Sequence, residues 1–333
     1  MNYQITLLPS GETYFADENQ SILQAALNNS IMLPHACKSG CCGACKAQLR
    51  SGTTRPMQEN CAINLTENDQ HEILLCCHTP QSNLSIYLPQ YSGQTNQVVK
   101  KIKARIDHIR ICNHYAVIHL QLPSKKTFTY QAGQYIDIIL QNGQRRSYSI
   151  AGYNANTHQL IIHVRYHEGG AFSAPIFDGR MQCKDMLQIE GPLGSFQLSD
   201  QPKDLIMLAT GTGLAPLMAM LSCLSEQHFS QNIYLYWGVA TEQDLYDAQL
   251  LDQLCDQLSN AKWTPVLSRP ASDWTGKQGY VQQIALQQHA DMSQYQVYAC
   301  GNPQMIAQAQ ALFTSQANLA TNAFFADNFT PTI

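Results

Sequence analysis

Four of the chain's twelve cysteines, Cys37, Cys41, Cys42 and Cys45, crowd into one short stretch, and a second pair, Cys76-Cys77, stands further on. Without Cys41 the spacing is C-x4-C-x2-C. A loop of that spacing, completed by a distant fourth cysteine, can wrap a small iron–sulfur cluster and aim its thiolates inward. Ser39, Gly40, Gly43 and Ala44 are small enough to let backbone N–H groups approach the sulfurs. The competing readings are buried free thiols and a structural zinc site. Zinc favours two separated short-spaced pairs, whereas here three ligands share one loop.

Further motifs carry polar chemistry of another kind. Arg145-Arg146-Ser147-Tyr148-Ser149-Ile150 places guanidinium, phenol and hydroxyl groups on one short run, and a guanidinium suits a phosphate. Gly169-Gly170-Ala171-Phe172-Ser173 and Thr210-Gly211-Thr212-Gly213-Leu214-Ala215-Pro216 are glycine turns before apolar segments. Glycines let the backbone approach a pyrophosphate, and the start of a helix favours its negative charge. The second is not the G-x-G-x-x-G dinucleotide fingerprint. Tyr298-Ala299-Cys300-Gly301-Asn302-Pro303 adds a cysteine at the end of an apolar run.

The elements that must position these residues fall into three blocks. The length of 333 residues implies about two or three domains. The chain is net acidic at −4, but residues 94–200 are net basic between two acidic neighbours. That argues against a nucleic-acid partner; the basic block fits either an anionic cofactor or a solvated face. Polar stretches at Gln90–Gln97 and Ser199–Lys203 mark boundaries, giving domains 1–93, 98–200 and 201–333. In the first, strands are expected at Tyr3–Leu8 and Thr13–Phe15. A helix follows on Ile22, Leu23, Ala26 and Leu27, opened by a Ser21/Gln24 capping box. The middle block reads as short barrel strands at Ala116–Leu122, Tyr135–Leu140, Arg146–Ile150, Leu160–Tyr166 and Met186–Ile189. The last alternates strand and helix, implying a parallel sheet. Its strands are Leu205–Ala209, Ile233–Trp237 and Gln296–Ala299; its helices start at Pro216, near Leu245, and after Asn302 as cap. The apolar stretch Leu205–Leu221 is broken by Gly211, Gly213 and Pro216, so no membrane span is expected; the N-terminus does not read as a signal peptide.

Residues 1–90 resemble a plant-type ferredoxin domain. Pro80, Ser82 and Asn83 match the stretch that follows the last ligand there, with Asn for the usual Asp. The resemblance implies that Cys37, Cys42, Cys45 and Cys76 hold a [2Fe-2S] cluster, with Cys41 and Cys77 bystanders. The remainder resembles the ferredoxin–NADP⁺ reductase family. Arg146-Ser147-Tyr148-Ser149 matches its R-x-Y-S signature, Gly170 and Ser173 its G-x-x-S element, and Gly191 to Phe196 its G-P-x-G-x-F stretch. Gly211-Thr212-Gly213 with Pro216 matches its G-T-G-x-x-P element, Cys300-Gly301 its C-G element, and Phe324 to Phe329 its closing aromatic segment. The implied architecture is an α+β ferredoxin (β-grasp) domain, then an antiparallel β-barrel FAD domain, then an α/β parallel-sheet nicotinamide-binding domain. FAD is implied at Arg146 (pyrophosphate), Tyr148, Ser149 (near N5), Gly170 and Ser173. NADH or NADPH is implied at Gly211, Thr212, Gly213, Pro216 and Gly301, with Ser149 and Cys300 catalytic at the flavin–nicotinamide junction. Phe329 either stacks on the flavin or fills the core.

These cofactors together imply a converter that takes electrons in pairs from NAD(P)H and releases them singly. The expected acceptor is a partner protein, an oxygenase component or a sugar-nucleotide dehydrase. Leu8-Pro9-Ser10-Gly11 and Leu33-Pro34-His35-Ala36-Cys37 look closer to reductases of the CDP-6-deoxyglucoseen type. Alternatives are a free-standing flavin or quinone reductase and a redox sensor without turnover. A cytoplasmic monomer is expected, its cysteines not paired as disulfides. Two carboxylates after Gly238, Glu242 and Asp244, favour NADH over NADPH; Arg269 and Lys277 argue the other way.

Overall fold

The computed structural model describes residues 1–35, 38, 40, 43–57, 71–88, 91, 98–124 and 128–329. They form two compact units, 1–99 with 192–195 and 100–191 with 196–333.

In the first unit the strands are β1 (Asn2–Leu8), β2 (Thr13–Asp17), β3 (Lys46–Ser51), β4 (Thr54–Pro56), β5 (Glu72–Leu74), β6 (His78–Pro80) and β7 (Leu84–Tyr87), with helix α1 (Ile22–Asn28). The main sheet runs β2-β1-β7-β3-β5, with β1 and β7 parallel and the other neighbours antiparallel. Ile5, Leu7, Tyr14 and Ala16 alternate inward and meet Ile22, Leu23 and Ala26 of α1 in one core. Ser21 caps α1 by accepting from the Gln24 N–H at 3.1 Å. The reciprocal half of the capping box does not form, because the Gln24 amide donates instead to Asn28, one turn on.

The second unit opens with β8 (Lys100–Cys112), β9 (Tyr115–Gln121), β10 (Tyr135–Ile139), β11 (Arg145–Asn154), β12 (Gln159–Arg165), α2 (Ser173–Phe177) and β13 (Met186–Leu193). These six strands close into an antiparallel barrel in the order β10-β11-β12-β9-β8-β13. The sequence reading did not mark β8. Along it Ile102, Ala104 and Ile106 point into the barrel, while Lys101, Lys103 and Arg105 stand exposed between them. Those cations of the basic block therefore form a solvated outer face.

The same unit continues with β14 (Asp204–Thr210), α3 (Leu214–Glu226), β15 (Ile233–Val239), α4 (Ala248–Gln257), β16 (Ala261–Leu267), β17 (Lys277–Gln278), α5 (Val281–Gln288), β18 (Tyr295–Gly301), α6 (Pro303–Gln316) and β19 (Phe324–Asn328). The sheet is parallel throughout, ordered β17-β16-β15-β14-β18-β19. Strand alternation sorts its residues between two cores. Leu205, Met207, Ala209, Tyr298 and Cys300 join α3 and α4 on one face, together with Tyr115, Val117 and Phe196 from the barrel. Ile206, Leu208, Val297 and Ala299 join α5 and α6 on the other. A strand buried on both sides reads as an unbroken apolar run, as β14 does. Among the described residues no helix is long and apolar enough to cross a membrane.

Candidate functional site

The cysteine site is described in part. Cys37 and Cys42 lie outside the described residues, as do Cys41 and Cys61. Cys45, just before β3, and Cys76, between β5 and β6, are both buried, with their sulfurs 3.3 Å apart. That is well beyond a disulfide bond of about 2.05 Å, and none of the described cysteines is in a disulfide. Two buried, converging thiols are a donor set that suits a thiophilic cluster. The Cys77 sulfur lies 3.5 Å from that of Cys76. Away from this loop, Cys255 is buried, whereas Cys183 is exposed.

On the barrel, β11 carries the Arg-Ser-Tyr-Ser motif. Strand alternation separates Arg146 and Tyr148 from Arg145, Ser147 and Ser149. Arg145 is committed: it pairs with the Asp137 carboxylate at 3.3 Å and more closely with Glu190. Arg146 has no carboxylate partner among the described residues; it donates to the Arg145 carbonyl at 2.9 Å and to Gln144. Of the two, Arg146 is the cation left for an outside anion. Tyr148 packs its ring 5.2 Å from Phe172, and burial pushes its phenol well above the ordinary value. Ser149 is buried opposite Tyr135.

The glycine turn before α2 is tight: a side-chain carbon on Gly170 would meet the Ser173 hydroxyl at 2.4 Å. Ser173 is buried; its hydroxyl accepts from the His167 N–H at 3.1 Å and donates to the His167 carbonyl. It shapes the turn. The helix it opens is short, ending at Phe177.

The third cluster of motifs meets at the carboxyl ends of β14 and β18. The sheet order reverses between these strands, and such a reversal opens a crevice for ligands. Gly211–Gly213 form a single 3-10 turn, and α3 starts at Leu214 rather than at Pro216. Pro216 fits in the first helical turn, where its missing N–H has no partner to lose. Gly301, at φ +123°, has no room for a side chain, which would strike the Thr210 hydroxyl at 2.3 Å. That hydroxyl accepts from the Asn302 N–H at 2.8 Å, joining the two strand ends. Thr212 is half-buried beside them. Cys300 is wholly buried on the barrel-facing side, and burial, then Asp327, drive its thiol well above the ordinary range. A thiol so held stays protonated and is no nucleophile. Phe329 donates its N–H to the Gly301 carbonyl at 2.8 Å and packs, half-buried, against the same core.

Helix α3 packs on β11, bringing the glycine turn's helix against the strand of the Arg-Ser-Tyr-Ser motif. Sequence reasoning marked Trp237 as the end of a strand but not its contact with the glycine turn, where its indole N–H donates to the Gly211 carbonyl at 3.0 Å; it missed Tyr115, which lies against Gly211. Tyr115 stands in no local motif, so no spacing rule could have found it.

Comparison with known proteins identifies the domains that carry these residues. An iron–sulfur (2Fe-2S) cluster binding domain matches residues 5–81, an oxidoreductase FAD-binding domain residues 104–198, and an oxidoreductase NAD-binding domain residues 207–311. A CDP-6-deoxy-L-threo-D-glycero-4-hexulose-3-dehydrase reductase of Yersinia pestis is 35% identical over 99% of both chains. The reductase component of a Pseudomonas phenol 2-monooxygenase is 30% identical over 92% of this chain and 88% of its own. Among solved structures, an Amycolatopsis cytochrome P450 reductase shares the fold at TM-score 0.84 and 24% identity, covering 99% of each chain. With a ferredoxin fold, a closed barrel and a parallel sheet in that order, and relatives alike from end to end, the chain belongs to the ferredoxin reductase family, in the branch with an N-terminal [2Fe-2S] domain, and is an NAD(P)H-dependent oxidoreductase that binds FAD.

Proposed function

We propose that the chain delivers electrons from NADH to a separate dehydrase that acts on a nucleotide-linked deoxyhexulose. The observation that carries this reading is the end-to-end likeness to the Yersinia dehydrase reductase, 35% identical over 99% of both chains. The shorter match to the phenol monooxygenase component favours the second reading, an oxygenase as acceptor.

Cys37, Cys42, Cys45 and Cys76 would hold the cluster, supported by the convergence of the last two. Arg146, Tyr148 and Ser149, with the turn at Gly170 and Ser173, would hold FAD. Gly211, Thr212, Gly213, Pro216 and Gly301 would line the coenzyme's pyrophosphate and nicotinamide. Once bound, these groups supply all the redox chemistry, paired transfer at the flavin and single transfer at the cluster. The chain's own residues orient and enclose. Arg146 offers a phosphate a charge that no described carboxylate neutralises, Gly213 and Gly301 let the ends of β14 and β18 close on one another, and Cys300 fills the wall behind them with a small protonated side chain. The module boundaries near 93–98 and 200, a monomeric state and a cytoplasmic location complete the proposal; cysteines without a disulfide among the described residues suit that compartment.

The test is an anaerobic assay with purified holoprotein, NADH, the purified dehydrase and its CDP-linked 6-deoxyhexulose substrate. Product that requires all four supports the reading. Failure with the dehydrase but turnover with an oxygenase component supports the second. NADH-driven reduction of free flavin or quinone alone, at the same rate in a cluster-free variant, overturns both.

A further inference from the structure

A barrel hairpin reaches the loop that follows β15. Asn113, at the turn between β8 and β9, donates its amide to the Asp244 carboxylate at 2.6 Å. Arg110, near the end of β8, donates to the Tyr246 carbonyl at 2.9 Å and pairs closely with Asp247. From β12, the His163 ring meets the Tyr246 hydroxyl at 2.9 Å through Nδ1 and faces Asp247 at 3.3 Å through Nε2. Burial and Arg110 push His163 down to about 3, so its ring is neutral. Tyr115 stacks on Tyr246 at 4.6 Å and 22°. Tyr246 in turn meets Trp237 edge-on at 5.2 Å, and Trp237 holds the Gly211 carbonyl. One hairpin thus braces two loops at the same edge of the sheet, residues 241–247 and the glycine turn.

These contacts are specific and directional, and they gather on a loop with little regular structure of its own. Within it, Asp244 is buried and spent on the Thr241 N–H and hydroxyl as well as on Asn113. Glu242, by contrast, is exposed. We propose that the β8–β9 hairpin, together with His163 of the neighbouring β12, is a positioning clasp for the coenzyme: Asn113, Arg110 and His163 set dinucleotide affinity by fixing loop 241–247, without touching the ligand. The inference rests on the reading that this loop, just beyond Gly238, meets the adenosine ribose.

Two variants of the holoprotein separate the clasp from that reading. Asn113→Ala deletes one charge-assisted hydrogen bond at a turn. It should raise the KM for NADH and the calorimetric Kd for NAD⁺ together by about five- to tenfold, with FAD retained and kcat at saturating NADH within about twofold. A purely structural tie would lower the melting temperature and leave KM and Kd alone, and that result overturns the clasp. Glu242→Lys puts an exposed cation on the loop and should raise the NADPH-to-NADH ratio of kcat/KM by at least about fivefold. If it does while Asn113→Ala moves nothing, the loop is the ribose site and the clasp is wrong. A ratio unmoved by Glu242→Lys overturns the loop assignment and the clasp with it.

Discussion

A side-chain carbon on Gly213 would meet the carbonyl oxygen of Cys300 at 2.1 Å. The glycine turn after β14 and the end of β18 are therefore in backbone contact, at the point where the sheet order reverses. Gly213→Ala must push the two strand ends apart, at a cost of about 1–3 kcal/mol. The expected result is a lowered melting temperature and flavin reduction by NADH slowed far more than FAD content falls. Cys300→Ala keeps the backbone. It should slow the same step and spare the later flavin-to-cluster step; stopped-flow traces with both steps unchanged would make Cys300 a core residue only.

At the cluster, serine in place of Cys45 or Cys76 should abolish or strongly alter its visible and EPR signals, and Cys77→Ser should leave them. The reverse pattern at 76 and 77 would move the fourth ligand by one residue. The same substitutions at Cys37 and Cys42 should remove the signals, and at Cys41 should not.

Arg146 and Arg145 make a paired test. Removing the unpaired Arg146 should weaken FAD by about 1.5–3 kcal/mol, roughly tenfold to a hundredfold. Arg145→Ala should leave FAD affinity close to wild type, because its charge is already spent on Asp137 and Glu190. Flavin content after gel filtration, with a fluorescence titration, reads both. Full FAD in Arg146→Ala would refute the assignment.

For the coenzyme, a higher kcat/KM with NADH than with NADPH is expected, and little change from Arg269→Ala. Of the two carboxylates weighed in the sequence, Asp244 is buried in its cap, so the repulsion of a 2′-phosphate rests on Glu242. Arg269 is exposed and anchored by its own N–H to the Ala240 carbonyl. A preference for NADPH that collapses in Arg269→Ala would reverse this expectation.

His163 gives the fold a pH dependence. In the folded chain its ring stays neutral down to about pH 3; unfolded, it takes a proton near its ordinary value of about 6.5. Below that value the unfolded state binds more protons, so stability is full above it and falls as pH falls, by about 1.4 kcal/mol per unit. Asp247, pushed up by burial against the pull of Arg110, works in the opposite sense nearer the carboxylate range. The drop in melting temperature between about pH 7 and about pH 5.5 should therefore be smaller in His163→Gln. Equal drops would show that His163 titrates normally.

Spacing and period travel with the chain, and so the cysteine loop, the order of the glycine motifs and the strand–helix alternation of residues 201–333 were legible without coordinates. The Asn302 cap was equally legible, since it accepts from the N–H groups of Gln304 and Met305 just beyond it. Where local pattern misled, a neighbour distant in sequence had decided the matter. Strand β8 hid its alternation behind lysines and arginines, because only barrel closure tells which side is wet. The motif alone favoured Arg146, but what occupies Arg145, the Glu190 carboxylate in β13, no local pattern shows. Asp244 looked like a charge facing the coenzyme until Asn113, from the barrel hairpin, turned out to hold it. Sequence determined which chemistry the chain carries; the tertiary structure decided which of its charges remain free to perform it, because a charge's availability depends on partners that only the folded chain brings within hydrogen-bonding distance.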